Sequence, residues 1–379
     1  MTVFFQFETP AASITDFIPS DALRSFVFSA NLASQDITGD TADSTTTAAV
    51  FEVLKGSSAA SNIVLAAANA KFEDFQNFKR SSLGYPIIAA HEDSQFPKLP
   101  DVDIYGYLDI TISHDSDTNG IDADALFHAE FAPLPGENLN KAEAKIYRML
   151  LNELNNVVKH AHRDVIRLWQ RTTTPRSAEL DTYARQIAAA GYTFSMEELH
   201  GMVRLSKFAD LQLPVLPDGF TVQSFTGLVP PKAWVPEMID LLDQLSFDVP
   251  TGALAVDPQP WSLQRLVDAD NIAQLRRNET FTVALLHNDR LIGYSGASRR
   301  HDALENIAEQ GATIIERAYR GRGLGQLLKN YAVKEIQQHW PTVEKLYTSM
   351  SSENNAILAI NDTLGFQTQS YIHAWQKHR

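Results

Sequence analysis

Thr313–Gly325, TIIERAYRGRGLG, sets a β-branched run against a turn with glycine at 321, 323 and 325 and arginine at 317, 320 and 322. Threonine and isoleucine suit a strand. Beyond the turn, Leu324, Leu327, Leu328, Tyr331, Ala332 and Ile336 recur at helical spacing until Pro341 stops the pattern. The stretch therefore reads as strand, glycine turn, helix. Such a junction gathers backbone N–H groups at the positive end of a helix, and glycine lets a ligand come close to them. A diphosphate suits that place.

Two familiar phosphate loops do not fit. The nucleotide loop G-x-x-x-x-G-K-[ST] needs Lys-Ser or Lys-Thr after the glycines, which is absent. The dinucleotide pattern G-x-G-x-x-G needs glycine where Gln326 stands. What is present is R-x-x-G-x-G, from Arg320 to Gly325.

Working outward, Phe281–Arg300 reads as two strands joined at Asn288-Asp289, Ala312–Ala318 as a strand, and Val343–Met350 as another. Asn355–Leu364 reads as a helix closed by Gly365, and Phe366–Trp375 as a last strand. The first half has a similar order. Strands are expected at Asn62–Lys71, Gly84–Asp93, Asp103–Ser113 and Asp124–Pro133, with a tight hairpin turn at Asn119-Gly120. A helix follows over the stripe Ile146, Met149, Leu150, Leu154, Val157 and Val158, then a strand at Asp164–Gln170, a second helix and a strand at Glu197–Ser206. The repeated order suggests an internal duplication. The segment Leu213–Phe220, with two prolines and a glycine, is the linker candidate.

The chain has 379 residues, long enough for two domains. Its formal charge of −14 disfavours nucleic acid and anionic membranes as partners. With no cysteine there is no disulfide, thiolate metal site or cysteine nucleophile, and the histidines lack metal spacing, so no metal is expected. The opening MTVFFQFETPAAS lacks the features of a secretory signal, which makes the cytoplasm the expected location.

The loop R-x-x-G-x-G after a strand, followed one helix and one strand later by NNAILAINDTLGF (Asn354–Phe366), resembles the GNAT superfamily of N-acetyltransferases. AEQGATIIERAYRGRGLG (Ala308–Gly325), DVPTGAL (Asp248–Leu254) and the pattern IN-x-x-LGF are similar to a bacterial group of tandem GNAT proteins with a degenerate first domain. The resemblance implies an α/β (α+β) fold of two GNAT-like domains, each a mixed, mostly antiparallel twisted sheet flanked by helices. It places a degenerate domain at 1–208, a linker at 209–218 and a catalytic domain at 219–379. After the strand ending at Phe131 the first half reads APLPGENLNKAEA, without the loop, so that half is expected not to bind CoA.

The resemblance further implies acetyl-CoA as co-substrate, with an amine of a small-molecule acceptor attacking the thioester directly. Backbone groups of Ile315, Glu316 and Arg317 would receive the pantetheine. The amides of Arg320, Gly321, Arg322, Gly323, Leu324, Gly325 and Gln326 would hold the diphosphate, and Asn354 would contact the arm from the other side. An N–H near Ile315 would polarise the thioester carbonyl. Glu309 and Glu316 are the candidate bases. Asn361 stands where many members carry a tyrosine acid, which leaves open a non-catalytic acyl-CoA sensor; mycothiol synthase, another tandem GNAT, is expected to keep that tyrosine. The assembly implied is a monomer that mimics a dimer within one chain, or a homodimer.

Overall fold

A computed structural model describes residues 2–177, 179, 181–208, 211–301 and 304–379. The chain opens with β1 (Thr2–Phe7), α1 (Asp21–Thr38), α2 (Thr47–Leu54), β2 (Ala60–Asn69), β3 (Ile87–Ile88), β4 (Ile104–Ser113) and β5 (Gly120–Phe127). It continues with α3 (Lys141–His160), β6 (Val165–Thr172), α4 (Thr182–Ala189) and β7 (Thr193–Arg204). Then come β8 (Phe220–Thr226), α5 (Val235–Asp248), α6 (Leu263–Leu275), β9 (Glu279–His287), β10 (Arg290–Arg299) and β11 (Ile307–Ile315). The last elements are α7 (Leu324–His339), β12 (Lys345–Ser351), α8 (Asn355–Thr363) and β13 (Gln367–His378). Apart from the two-residue β3, the order from β1 to β7 recurs from β8 to β13. The duplication seen in the later strands and helices thus extends to an opening strand and two helices in each half, which the sequence patterns did not reveal.

The chain forms two compact units: Met1–Glu197 with Thr251–Asp257 and Ser370–Arg379, and Glu198–Pro250 with Pro258–Gln369. In the first, the strands run β3-β1-β2-β4-β5-β6-β13, antiparallel except for β1–β3 and β5–β6. One face packs Tyr147, Leu150 and Leu154 of α3 on Leu108, Ile110 and Leu168. The other packs Phe26 of α1 and Phe51 of α2 with Phe5 and Tyr107. In the second unit Glu198–Arg204 of β7 lead the order β7-β12-β11-β10-β9-β8, with β11–β12 the parallel pair. Here α7 covers Val283, Leu285 and Ala297 through Leu328, Val333 and Ile336. On the opposite face Met238 and Leu241 of α5 and Leu266 of α6 meet Ala284 and Ile314.

Several expectations change. The C-terminal strand belongs to the first unit, not to a 219–379 domain: Trp375 joins its core and donates through Nε1 to Gln170 Oε1 at 3.0 Å. The expected linker at 209–218 is not where the chain passes between units. Ala209 and Asp210 lie outside the described residues; beyond them Leu211 and Leu216 pack on the α7 core, and Tyr331 donates to Pro214 O. The strand at Gly84–Asp93 shrinks to β3. The tight turn at Asn119-Gly120 is a longer connection, for a tertiary reason. Asn119 O accepts from the N–H groups of Asp164 and Val165, and a Cβ on Gly120 would lie 3.1 Å from the Arg167 guanidinium.

Candidate active site

In the second unit β11 and β12 pair only from Ile307–Glu309 opposite Lys345–Tyr347. Past Glu309 the two strands part, which opens a gap along Gln310–Ile315. On its other edge β11 stays paired with β10, with a register shift between Ser295 and Ala297. Gly311 and Ala312 are exposed beside that bulge. The glycine turn then carries the chain into α7. Gly321 and Gly323 both have φ of +74°, a left-handed geometry that favours glycine, and neither would bring a Cβ within 4 Å of another atom. Gly323 is the N-cap of α7 and no side chain caps it. Among the described residues, the N–H groups of Gly321, Arg322, Gly323, Leu324, Gly325 and Gln326 have no intramolecular acceptor. Six adjacent donors at a helix N-terminus form an anion cradle. A Cβ on Gly325 would sit 3.0 Å from Ile360 Cδ1, so glycine there lets α8 approach α7.

The arginines mostly serve the loop itself. Arg320 donates through Nε to Ile315 O at 2.7 Å and pairs with Asp248 at 2.6 Å; Arg317 forks onto the same carboxylate. Hydrogen bonds from Arg317, then Arg320, hold the Asp248 carboxyl below the usual carboxylate range. Arg322 lies over the Tyr319 ring, 5.5 Å from its centroid. Asp248 was not picked out as a site residue, and its only signal was the DVPTGAL resemblance.

The strand proposed to receive an arm ends earlier than expected. Arg317–Tyr319 form a short 3-10 turn, so Arg317 is not in the strand. Glu316 N–H donates to Ile292 O at 2.8 Å, and Arg317 N–H to Gln244 Oε1. Strand alternation therefore turns the main-chain groups of Ile315 and Thr313 toward the gap, while those of Glu316 face β10. Ile315 O is already taken by Arg320. Glu316 bonds Arg290 at 2.6 Å, at the edge of a cavity of about 250 Å³ shared with Glu237, Asp240 and Asp243. Glu309 lies at the other end of β11, exposed, next to where the strands part. Asn354 caps α8, its Oδ1 accepting from Ile357 N–H at 3.3 Å.

Behind the gap lies a buried polar network that the sequence reading did not assemble. Lys329, on the sheet side of α7, donates to Gln310 Oε1 at 3.0 Å and to Asn361 Oδ1 at 2.6 Å. Lys329 is 2% exposed and Asn361 1%, so this ammonium is held by neutral acceptors out of reach of bulk water. Burial pushes its pKa down to about 8. Asn361 Nδ2 donates to Met350 Sδ, and Gln310 Nε2 to Ser295 Oγ at 3.2 Å, which shares a hydrogen bond with Thr313 Oγ1. A lysine inside the apolar stripe of α7 was the available signal.

Residues 248–366 match the family model described as acetyltransferase (GNAT) family. That stretch, most of it in the second unit, is similar to a GNAT acetyltransferase domain. The match opens on Asp248 and closes on Phe366, so the arginine brace, the cradle and the Lys329 network all fall within the GNAT region. Among solved structures, a tandem GNAT protein from the clavulanic acid biosynthesis pathway superposes with a TM-score of 0.67 at 17% identity, over 100% of this chain and 98% of that one. A GCN5-related N-acetyltransferase from Sphaerobacter thermophilus gives 0.57 at 12% identity, over 97% of each chain. The chain thus has the tandem GNAT fold. No curated protein matches it. Among the described residues no helix is long and apolar enough to cross a membrane.

Proposed function

We propose that the chain is an acetyl-CoA-dependent N-acetyltransferase whose CoA site lies in the GNAT domain of the second unit and whose acceptor is an amine on a small molecule. The row of six unpartnered N–H groups from Gly321 to Gln326 carries this reading. A diphosphate accepts several of them at once without a metal or a lysine. Asp248 keeps Arg317 and Arg320 folded against the loop, so the cradle is formed before a ligand arrives. The open edge of β11 at Thr313 and Ile315 would receive the pantetheine as an added strand, with Asn354 on the far side.

The acyl group then lies toward the exposed bulge at Gly311 and Ala312, where a main-chain N–H polarises the thioester carbonyl. Glu309 is the carboxylate placed to take a proton from the attacking amine. Glu316, the other candidate, is bound to Arg290 at the loop end. The first unit takes no CoA. Acetyl-CoA incubated with a mixed panel of small amines should release free thiol with at least one of them.

A second reading, an acyl-CoA sensor without turnover, draws on Asn361. Its side chain is bonded to Lys329 and Met350 where a tyrosine hydroxyl would serve as acid. Tight CoA binding with no thiol release from any acceptor would favour the sensor.

A further inference from the structure

We propose that the Lys329 ammonium, held behind the gap by Gln310 and Asn361, is the fixed counter-charge for the CoA thiolate as it leaves, in place of a tyrosine acid. The inference rests on the reading that CoA binds the cradle.

Gln310 is the first residue of β11 past the last pair with β12, so Lys329 Nζ bonds the chain at the apex where the strands part. From Ile315, beside the cradle, back to Gln310 is five residues, about 16 Å of strand. An extended pantetheine arm covers that span, which brings its sulfur to the apex. Asn361 holds Lys329 from α8, and Met350 of β12 closes the far side. Lys329 thus has partners on both sides of the gap.

The surroundings of this cation are the argument for a function. Its bonded partners are amide oxygens, and no carboxylate is bonded to it among the described residues. Glu309 adjoins Gln310 on β11, but alternation turns it to the opposite face, where it is exposed. Asp362 beside Asn361 is exposed on α8. Tyr347 of β12 and His200 of β7 stack on each other at 5.8 Å. Removing a lysine head group from water without an anion is costly, and packing alone would favour leucine or methionine there. A methionine of similar length would fill the same space. The cost is offset only when negative charge forms nearby, and in acyl transfer that charge forms on sulfur.

The transfer balances without a proton from lysine. The acceptor nitrogen forms a bond to the acyl carbon, and the C–S bond breaks with its electron pair going to sulfur. The proton lost by nitrogen ends on the thiolate, and Lys329 keeps its own throughout. Lys329 acts here as a positioning and electrostatic residue, on a group it need not touch.

The test reads charge at sulfur rather than turnover. CoA is bound to the full-length wild-type chain, to Lys329→Met and to Asn361→Asp, and its thiol is titrated by the ultraviolet absorbance of the thiolate. Lys329→Met removes the charge, while Asn361→Asp keeps the lysine and its contact but cancels the charge with a carboxylate. The inference expects that below about pH 8, where Lys329 holds its proton, the bound CoA of wild type shows roughly a tenfold larger thiolate fraction at a given pH than that of either variant. If Lys329→Met does not fold, Asn361→Asp gives the answer alone. Thiols that titrate alike in all three, with CoA bound, overturn the inference and leave the proposed function standing. A wild-type chain that does not bind CoA overturns both.

Discussion

The helices α7 and α3 each follow a strand that parts from its parallel neighbour, yet their N-termini are chemical opposites. At α7 the cap is Gly323 and six N–H groups stay open. At α3 the cap is Asn140, whose Oδ1 accepts from Ala142 and Glu143 N–H, while Glu143 accepts from Asn140 N–H at 2.7 Å. That capping box fills the donors and puts a carboxylate where a diphosphate would have to lie. The contrast extends to the gap. Where β5 leaves β6, past Ala123, stands Asp124, across from Asp109 on β4. One unit thus sets a lysine behind the gap and the other a pair of carboxyls beside it. The same backbone plan leaves open donors and a buried cation in one half, and a capped helix and paired carboxyls in the other.

The strongest way to break this comparison is to give α7 the chemistry of α3. Gly323→Glu puts a carboxylate into the cradle, and CoA affinity measured by calorimetry should fall at least about 100-fold. The fold should survive, because a Cβ there meets nothing within 4 Å and the left-handed φ of +74° costs about 1–2 kcal/mol. Unchanged affinity would remove the cradle from the account.

The next effect separates the buried cation from the gap it serves. The folded-state pKa of Lys329 is lowered to about 8, below the value of about 10.4 for an exposed lysine. Between those values the unfolded chain holds a proton that the folded chain has lost, so wild-type stability rises with pH in that window relative to Lys329→Met. The relative gain should be about 1–3 kcal/mol in urea unfolding from about pH 8 to about pH 10, and flat below it. A difference independent of pH would mean that Lys329 is not buried as described.

Smaller still is the effect of opening the other helix. Asn140→Ala should cost about 1 kcal/mol of stability by losing a cap. CoA affinity and a stoichiometry of one per chain should not change. Glu143→Gln, which removes only the charge, should cost a few tenths of a kcal/mol and likewise add no second site. A second CoA bound by either variant would show that the capping box alone keeps the first unit closed.

Features fixed by neighbouring residues could be read from the sequence. The turn at Asn288-Asp289 formed as expected, both residues taking positive φ, because its geometry is local. The cradle was legible for the same reason, since glycine and the start of a helix adjoin in the chain. Asn119-Gly120 carried a similar turn signal and failed, because Asp164 and Val165 of a distant segment claim Asn119 O and the Arg167 guanidinium packs against Gly120. Asp248, 69 residues before Arg317, holds the Arg317 and Arg320 side chains against the loop, a pairing that no local pattern shows. Lys329 was hidden because one charge in an apolar stripe does not disturb the period, and its partners lie on two other elements. The place of β13 in the first sheet depends on pairing with β6 across roughly 200 residues of chain, beyond any local pattern.

Amide hydrogen exchange with and without saturating CoA tests the central contrast most directly, because it reads both helix starts in one sample. CoA should slow exchange over Gly321–Gln326, whose N–H groups lack internal acceptors among the described residues, and leave Leu139–Ala144 unchanged. Protection at Leu139–Ala144, or none at Gly321–Gln326 while CoA is bound, would contradict the account.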